Sequence, residues 1–318
     1  MPSHNSCPPV LLILFNRPEL TKNVINLLRE VSPPKVYVSI DGARVNQSDD
    51  LEKITEVRNV LKQIDWPCDL QLRISEVNQG CKYGPYNGIN WFFQNEEMGV
   101  ILEDDCMPHS TFFRYCQELL VRYKNNDNVM MVSGCDFADS AARDYTDSYY
   151  FHKYHLIWGW ATWRSAWGKM DLEMVAWKSI DKWKFLSKHC RSVDERLYWM
   201  SNFENVADPT ENSVWDYQWL FTMWYHGGLC ISPNGNLVSN VGFGVDATHT
   251  VAQCDNHSRK IVAMEFPLKH ADVIANIEMQ EIIRCNAYMP SRRGLEFIAS
   301  WLKNGIQNRI YRVLGKSR

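Results

Sequence analysis

The alternation of apolar runs with helix-like segments over the first 135 residues constrains the fold of this chain most. Apolar runs of strand length cover residues 10–15, 35–40, 69–75, 98–102 and 129–133. Apolar residues recur at helical spacing between them, which predicts helices over residues 20–31, 51–64, 86–93 and 112–123. Asp49 and Glu52 have capping-box spacing at the start of the second helix. Strands and helices that alternate through short links predict an α/β fold, with a Rossmann-like, mostly parallel sheet flanked by helices.

After residue 135 the regular alternation of strand-like and helix-like segments ends, and the chain becomes rich in aromatic residues. Eleven of the thirteen tryptophans lie between Trp91 and Trp224. Short strands around glycine-rich turns are predicted over residues 229–245, and a helix over residues 273–283. Because no linker rich in proline, glycine or serine interrupts the chain, we expect one continuous body. Its parts are residues 1–135, residues 136–270 and a C-terminal helical extension over residues 271–318.

Charge and cysteine usage exclude several classes of protein. Lysine and arginine total 34 and aspartate and glutamate 37, so the net charge of −3 argues against a strongly basic nucleic-acid-binding protein. No run of about 18 apolar residues could cross a membrane, and the run over residues 10–15 is too short for a signal peptide. The ten cysteines stand singly without a Cys-x-x-Cys pair. We therefore expect a cytoplasmic protein with reduced thiols.

Three successive acids, Glu103-Asp104-Asp105, directly follow an apolar strand and are the sharpest chemical feature. Three carboxylates in a row repel one another unless a cation lies among them. Mg²⁺ and Mn²⁺ prefer carboxylate oxygens and share their coordination with substrate phosphates, so a metal-bound diphosphate is the predicted ligand. The alternative is a helix N-terminus, which also favours acids and which Pro108 and Ser110 would follow.

Four isolated residues could take part in chemistry, each with a plainer structural interpretation. Asp41, at the end of the second predicted strand, could bind a base or ribose, or belong to an Asp-Gly turn. Lys82, in a glycine-containing turn before a helix, could face an anion, or the segment could be an ordinary turn. Asp216 lies among aromatic residues, where desolvation would suit a general base, or it is an acid on a helix whose tryptophan neighbours face the core. His249 could bind a metal or a phosphate, or be structural.

The tryptophans of the segment 158–163 could offer ring faces to a sugar or fill the core. Trp158, Trp160 and Trp215 are the candidates for acceptor binding.

Several of these motifs together resemble those of a known enzyme family. Asn16-Arg17-Pro18, Asp41-Gly42, Asn78-Gln79-Gly80 and the acidic triplet with Phe112-Phe113 resemble the nucleotide-sugar-dependent glycosyltransferases of the GT-A fold. The likeness is strongest to bacterial family-2-type sugar transferases, which the Trp158–Trp163 segment and Asn240-Val241-Gly242-Phe243-Gly244 with His249 also resemble. It is more distant to the N-acetylglucosaminyltransferases that branch N-glycans. The likeness covers about residues 8 to 250.

The resemblance implies a role for each matching residue. Asp105 would ligate Mn²⁺ or Mg²⁺, Asp104 would lie by the ribose and Glu103 by the donor sugar. Asp216 matches the catalytic base of inverting members, and His249 would contact the diphosphate or the metal. The remaining donor-binding residues would line the pocket for the base and diphosphate: Asn16, Arg17, Asp41 and Lys82.

These expectations combine into a predicted function. Residues 1–135 would bind a nucleotide diphosphate sugar, with a UDP-sugar favoured, and residues 136–270 would bind a saccharide or lipid-linked acceptor. The enzyme would be an inverting, metal-dependent glycosyltransferase of bacterial surface polysaccharide or glycoconjugate synthesis. A sugar nucleotidyltransferase and a non-catalytic carbohydrate-binding protein are the alternatives. The basic tail over residues 299–318 predicts either peripheral membrane contact or a packing helix.

Overall fold

The computed structural model describes residues 7–210, 214–242 and 259–289. Within these ranges the strands are β1 (Val10–Leu14), β2 (Lys35–Ile40), β3 (Asp69–Ile74), β4 (Met98–Glu103), β5 (Cys106–Pro108), β6 (Val129–Ser133), β7 (Tyr149–His152), β8 (Trp160–Trp163), β9 (Leu229–Pro233) and β10 (Val238–Asn240). The α-helices are α1 (Pro18–Val31), α2 (Asp50–Val60), α3 (Gly80–Asn95), α4 (Thr111–Tyr123), α5 (Arg164–Trp167), α6 (Val175–Ser179), α7 (Lys182–His189), α8 (Val193–Val206), α9 (Asp216–Tyr225) and α10 (Ile277–Ile283). Short 3₁₀ segments at Leu61–Gln63 and Ser140–Arg143 and a π-helical turn at Arg284–Tyr288 complete the regular structure.

Eight strands form the central sheet in the order β3-β2-β1-β4-β8-β6-β9-β7. The pairs β3–β2, β2–β1, β1–β4 and β6–β9 are parallel, whereas β8 is antiparallel to both of its neighbours and β7 is antiparallel to β9. All strands except β8 and β7 therefore run in the same direction. The predicted α/β fold class, a mostly parallel sheet flanked by helices, is confirmed, and the arrangement is consistent with the GT-A fold.

The first βα unit shows why the sequence pattern folds in this way. β1 is an interior strand whose side chains are buried on both faces of the sheet, which requires apolar residues at successive positions. α1 begins at Pro18, where the missing N–H costs no hydrogen bond, and it ends at Ser32 in the left-handed conformation. Its buried face carries Val24 and Leu28 at helical spacing. The periodicity thus predicted both elements correctly.

Three local expectations were wrong at element boundaries. α3 begins at Gly80, six residues before its predicted start, because the preceding turn is fastened to Asp41. Asp49 forms no capping box, since its backbone is already helical and its carboxylate pairs with Lys53 Nζ at 2.6 Å. α10 begins at Ile277 rather than at 273, because the side chain of Asn276 accepts a hydrogen bond from the helix there.

A small second sheet follows the acidic triplet. β5 pairs antiparallel with β10, placing Cys106 opposite Asn240. The helix that follows, α4, begins only at Thr111. The triplet therefore does not form a helix N-terminus, which removes the structural alternative considered above.

The predicted parts share one sheet. Residues 1–135 contribute five of its strands, and β7, β8 and β9 come from residues 136–270. β8 lies between β4 and β6, so the two parts interleave within this sheet. The boundaries at residues 135 and 270 therefore do not divide the sheet. The assignment of donor binding to the first part and acceptor binding to the second stays a prediction.

Neither a membrane-spanning helix nor a disulfide occurs in the part of the chain that the structure describes. No helix there has the length and apolar content needed to cross a bilayer. The nine cysteines in that part are free thiols. The basic tail lies outside the described residues, so membrane contact and cytoplasmic location stay predictions.

Candidate functional site

The acidic triplet lies at the carboxyl edge of the parallel part of the sheet. Glu103 ends β4 opposite Ile13 of β1. Asp104 and Asp105 follow in the turn toward β5. Ligands of open α/β sheets bind beyond the carboxyl ends of the strands, so the triplet stands at the edge where a ligand is expected.

Arg17 is a cationic residue in contact with two acids of the triplet. It directly precedes α1, at the carboxyl end of the neighbouring strand β1. Its Nη1 donates to Asp104 Oδ1 at 3.2 Å and to Asp105 Oδ2 at 3.1 Å. All three side chains are less than one-fifth exposed, at 19%, 9% and 13%. Arg17 is therefore part of the acidic site, and its role in a base pocket stays a prediction.

The second sheet holds Asp105 from the other side. Asn240 Nδ2 donates to Asp105 Oδ1 at 3.1 Å, and Val241 N donates to the Asp105 carbonyl at 2.9 Å. The chain then passes so close that a Cβ at Gly242 would lie 2.1 Å from Asp105 Oδ2. Glycine is needed here for close approach, and Asp105 is held by a segment more than a hundred residues further along the chain.

Burial and mutual repulsion keep the acids of the triplet protonated more readily than ordinary carboxyls. Burial, followed by the charges of Asp105, Asp104 and Asp216, raises the pKa of Glu103 to about 8. Burial also raises the pKa of Asp104 to about 7, although Arg17 opposes the shift. The pKa of Asp105 is raised by burial against the same opposing charge. Among the described residues, Arg17 is the cation that forms ion pairs with these carboxyls, and their raised pKa values show that its charge does not offset burial.

The donor atoms at this edge fit a hard divalent cation that shares its coordination with a phosphate. Within the described ranges no three His, Cys, Asp or Glu side chains lie together as a complete metal site. Mg²⁺-type sites need only one or two carboxylates when substrate phosphates and waters supply the rest. Asp105 offers that carboxylate. The second predicted ligand, His249, lies outside the described residues and stays a prediction.

Asp216, the predicted catalytic base, approaches the triplet from the other part of the chain. It is the first residue of α9. Its charge acts on Glu103, and its side chain remains 23% exposed. His155 Nε2 lies 3.2 Å from Asp216 Oδ2, and the His155 Nδ1 lies 3.1 Å from the hydroxyl of Tyr288. Asp216 is therefore near enough for its charge to act on Glu103, and its role as the catalytic base stays a prediction.

Asp41 holds a turn together. Its carboxylate accepts from the backbone N–H of Gln79 at 2.9 Å and of Gly80 at 3.0 Å, and from Asn78 Nδ2 at 3.1 Å. Burial, the larger effect, raises the pKa of Asp41 against these hydrogen bonds. Its observed contacts are structural, and nucleotide binding by Asp41 stays a prediction.

The remaining two predicted donor contacts also have protein partners. Asn16 Nδ2 donates to Asp50 Oδ1 at 2.7 Å, and Asp50 is also bound by Arg44. Lys82 is buried in α3, with its Nζ 3.9 Å from Glu173 Oε1. Donor binding by Asn16 and Lys82 stays a prediction.

Two of the three tryptophans predicted to bind the acceptor are core residues, and that expectation is corrected. Trp160 and Trp215 are 1% and 4% exposed and stack on each other with ring centroids 5.8 Å apart. Trp167 and Trp219 pack against the same pair. Rings covered in this way have no free face for a sugar. Trp158 is only partly buried, so its role in acceptor binding stays a prediction.

Neither of the two described cavities is lined by a residue of the triplet, although the second is lined by Val241, which donates to the Asp105 carbonyl. One of about 470 Å³ is lined by Lys153, Arg191 and Trp224 among others, toward the far end of α9 from Asp216. Another of about 500 Å³ lies along α1 and is lined by Leu20 and Met107 among others. The acidic edge is therefore a partly exposed surface, rather than a wall of either cavity.

Sequence reasoning missed the residues that meet the site from far along the chain. Asn240 was noted only within a motif, and its contact with Asp105 follows from the pairing of β5 with β10. Neither His155 nor Tyr288 lies in a recognisable sequence motif. His155 contacts Asp216, 61 positions away, and Tyr288 contacts His155, 133 positions away. The pairing of Arg17 with the acids could have been expected, since the ends of β1 and β4 are neighbours.

The fold and site together define an α/β protein with a group of acidic side chains at the carboxyl edge of its sheet. No family model and no curated protein matches the chain. Among solved structures it is similar to apo UDP-glucose pyrophosphorylase, with a TM-score of 0.35 and 8% identity over 72% of this chain and 91% of that one. It is also similar to apo mouse xyloside xylosyltransferase 1, with a TM-score of 0.29 and 10% identity over 68% of this chain and 80% of that one. Similarity this weak indicates neither a substrate nor a reaction.

Proposed function

We propose that this protein is a glycosyltransferase that moves a sugar from a nucleotide diphosphate sugar to a hydroxyl acceptor with inversion. One observation carries the proposal. Glu103, Asp104 and Asp105 follow one another at the carboxyl edge of the sheet, the charge of Asp216 acts on Glu103, and among the described contacts Arg17 forms ion pairs with Asp104 and Asp105. A divalent cation bound with a diphosphate would add positive charge beside these carboxylates. Asp216, from residues 136–270, could then act as the base.

Donor binding falls to the triplet and its neighbours. Asp105 would hold Mn²⁺ or Mg²⁺, which neutralises the charge that develops on a departing diphosphate. Arg17 can turn from the carboxylates to a phosphate oxygen, because one guanidinium presents several donors. Asp104 would accept from the ribose and Glu103 would contact the donor sugar.

Asp216 performs the proton transfer in this proposal. Its partly exposed carboxylate takes the proton of the acceptor hydroxyl as that oxygen attacks the anomeric carbon. The bond from that carbon to the diphosphate breaks, and the diphosphate leaves with the electron pair. Attack from the face opposite the leaving group inverts the configuration.

The alternatives explain fewer of the observed features. A sugar nucleotidyltransferase would need a glycine-rich basic loop after the first strand, whereas here β1 leads through Asn16 and Arg17 directly into Pro18 of α1. The two functions differ in their products, since a glycosyltransferase releases a nucleotide diphosphate and the alternative releases pyrophosphate. A sugar-binding protein built on tryptophan platforms loses support because Trp160 and Trp215 are covered.

The first test replaces the proposed base. Asp216→Asn keeps the shape of the side chain but cannot accept the proton, so turnover should fall by about 10²–10⁴. Donor affinity should change little, because the triplet is left intact. Asp127→Asn is the matched control, since Asp127 is exposed and lies outside the site. An unchanged turnover in Asp216→Asn would remove this residue from the mechanism.

The second test asks whether a metal couples the donor to Asp105. Calorimetry should show that Mn²⁺ strengthens the binding of the nucleotide diphosphate to the wild-type chain and that Asp105→Ala abolishes this dependence. Asp127→Asn should behave as the wild type does. Equal nucleotide affinity with and without Mn²⁺ in the wild-type chain would contradict the role of the triplet.

A further inference from the structure

The outer edge of β3 is open in the part of the chain that the structure describes. Within those ranges β3 pairs with β2 and with no other strand. The opposite edge of the sheet is partly covered, since Phe151 of β7 bridges to Ala275 and its carbonyl accepts from Asn276 N at 2.8 Å. An open edge offers a row of unpaired N–H and C=O groups to another strand, and proteins often block it with a proline or a bulge. β3 has neither.

The hydrogen bonds to β2 show which backbone groups of β3 are free. Asp69 N donates to Pro34 O at 2.9 Å, and Ser75 N, just beyond the strand, donates to Ile40 O at 2.9 Å. Because the N–H and C=O groups of successive strand residues point to opposite sides, the odd-numbered residues of β3 face β2. The groups that point away from β2 belong to the even-numbered residues: Leu70, Leu72 and Ile74.

Apolar side chains accompany these free backbone groups. Side chains alternate between the two faces of a strand, so Leu70, Leu72 and Ile74 share one face. Leu70 packs against the core, whereas Leu72 and Ile74 remain 49% and 40% exposed. Covering them removes apolar surface from water, which favours association. The edge therefore offers both hydrogen-bonding groups and apolar surface to a partner.

The sequence of β3 is complementary to a second copy of itself. In an antiparallel pair with its two-fold axis at Gln71, Asp69 of each copy lies opposite Arg73 of the other, and Leu70 lies opposite Leu72. Opposite residues of an antiparallel pair are neighbours on the same face, so each aspartate meets an arginine and each leucine meets a leucine. An axis one residue away in either direction pairs neither charge with its opposite.

Both charges of β3 are available for such pairing, because neither forms an ion pair within the described ranges. Asp69 accepts from Gln71 Nε2 at 2.6 Å. Arg73 donates to Ser39 Oγ and to Gln79 Oε1, at 3.2 Å each. A guanidinium has five N–H donors, so Arg73 keeps donors for a carboxylate. The charges thus favour a second copy of this chain over an unrelated strand.

We propose that the outer edge of β3 binds the same edge of a second copy of this chain, antiparallel and with the two-fold axis at Gln71. Leu70 of each copy exchanges backbone hydrogen bonds with Leu72 of the other, because the free groups of both residues point outward. The two sheets then continue into each other. A contact built on one pair of strands is small, so we expect a weak dimer with a Kd on the order of 10 μM. The dimer is independent of the proposed function.

Sedimentation equilibrium of the full chain under reducing conditions measures the association. The wild type should be mostly dimeric at about 100 μM, well above the expected Kd. Leu72→Pro should stay monomeric, since proline removes an outward N–H but no hydrogen bond to β2. Leu72→Val is the matched control, because it keeps the N–H and an apolar side chain, and it should dimerise as the wild type does.

Two outcomes of this measurement would overturn the proposal. A folded Leu72→Pro that dimerises like the wild type would show that the outward groups of β3 make no contact between copies. A wild type that stays monomeric at about 100 μM would leave a strand of another protein, or another segment of the same chain, as the occupant of the edge.

Charge exchange tests the register without changing the backbone. Asp69→Lys places a cation opposite Arg73 at both ends of the strand pair, so the Kd should rise about tenfold. Adding Arg73→Asp to this variant returns opposite charges to the pair and should restore most of the affinity. Asp127→Lys is the control, since it makes the same change of charge at an exposed position before β6, which does not neighbour β3. If the double variant associates no better than Asp69→Lys, residues 69 and 73 do not meet and the pairing is wrong.

A disulfide at the two-fold axis tests the same geometry directly. Gln71 faces β2, so the two copies of it form a non-hydrogen-bonded pair with Cα atoms about 4.5 Å apart, a distance that a disulfide can span. Mild oxidation of Gln71→Cys should link two chains through position 71, as identified by peptide mass spectrometry, whereas Asp127→Cys should not link. Equal linkage in the two variants would refute the proposed contact. Charge exchange and cross-linking both decide the matter even if Leu72→Pro does not fold.

Discussion

Replacing Arg17 by methionine should expose how much positive charge the acidic edge needs. Arg17 donates to two carboxylates from one nitrogen, and the side chains of Arg17, Asp104 and Asp105 are all largely buried. Methionine keeps much of the length of the side chain but removes its charge and donors. The triplet is then left without the one cation that pairs with it in the described structure.

The expected loss of stability follows from these contacts. A hydrogen bond to a charged group contributes about 1.5–3 kcal/mol, and two are lost. Breaking a buried ion pair from one side costs about 3–5 kcal/mol. Because the stranded carboxyls can take up protons or admit water, we expect the lower part of this range, about 3 kcal/mol.

Urea unfolding with and without Mn²⁺ measures both parts of the effect. Mn²⁺ should stabilise Arg17→Met more than the wild type, because the arginine no longer competes for the carboxylate oxygens. A ligand at a hundred times its Kd adds about 2.7 kcal/mol, so saturating Mn²⁺ can restore most of the loss. Lys53→Met is the control, since the exposed pair of Lys53 with Asp49 contributes at most about 1 kcal/mol.

Two results would refute this reasoning. Equal stability of Arg17→Met and the wild type without metal would show that the acids need no counter-charge. Equal stabilisation of both chains by Mn²⁺ would show that Arg17 and the cation do not occupy the same site.

Two further predictions concern the neighbourhood of this edge. Asp50 is fully buried, and hydrogen bonds from Arg44, above all, hold the pKa of its carboxyl below the usual range. Its ionised form therefore stabilises the fold at neutral pH, and this stabilisation declines as the pH falls below about 4. Asp50→Asn should therefore lower the free energy of unfolding by about 2 kcal/mol at neutral pH, and urea titrations should show the difference shrinking in acid; a constant difference would contradict the linkage. Gly242→Ala places a Cβ against Asp105 Oδ2, so Mn²⁺-dependent nucleotide affinity should fall about tenfold in calorimetry, about 1.4 kcal/mol, and an unchanged affinity would show that Asp105 is not a ligand.

Local pattern was enough to predict the elements of the first part. β2 occupies the predicted residues, and β1, β3, β4 and β6 differ from prediction by at most one residue at an end. Apolar periodicity succeeds here because the interior strands β1, β2, β4 and β6 bury both faces and each flanking helix buries one, although the edge strand β3 stays largely exposed. The position of Glu103 at a strand end followed directly from the same pattern.

Local pattern could not say which aromatic rings remain uncovered. Trp158 and Trp160 are two positions apart, yet one is partly exposed and the other is enclosed by Trp167, Trp215 and Trp219. Their exposure depends on the packing of α9 and α5 against β8. The start of α3 could not be predicted for the same reason, because it depends on the hydrogen bond from Gly80 N to the distant Asp41 carboxylate.

The sequence by itself determined the order of strands and helices and the position of three acids after β4, because periodicity and strand ends are local properties. Only the tertiary structure decided that Arg17 pairs with two of those acids, that the charge of Asp216 acts on Glu103, and that His155 lies between Asp216 and Tyr288. These contacts join residues that are dozens to more than a hundred positions apart. They arise from strand order and helix packing, which depend on the whole chain.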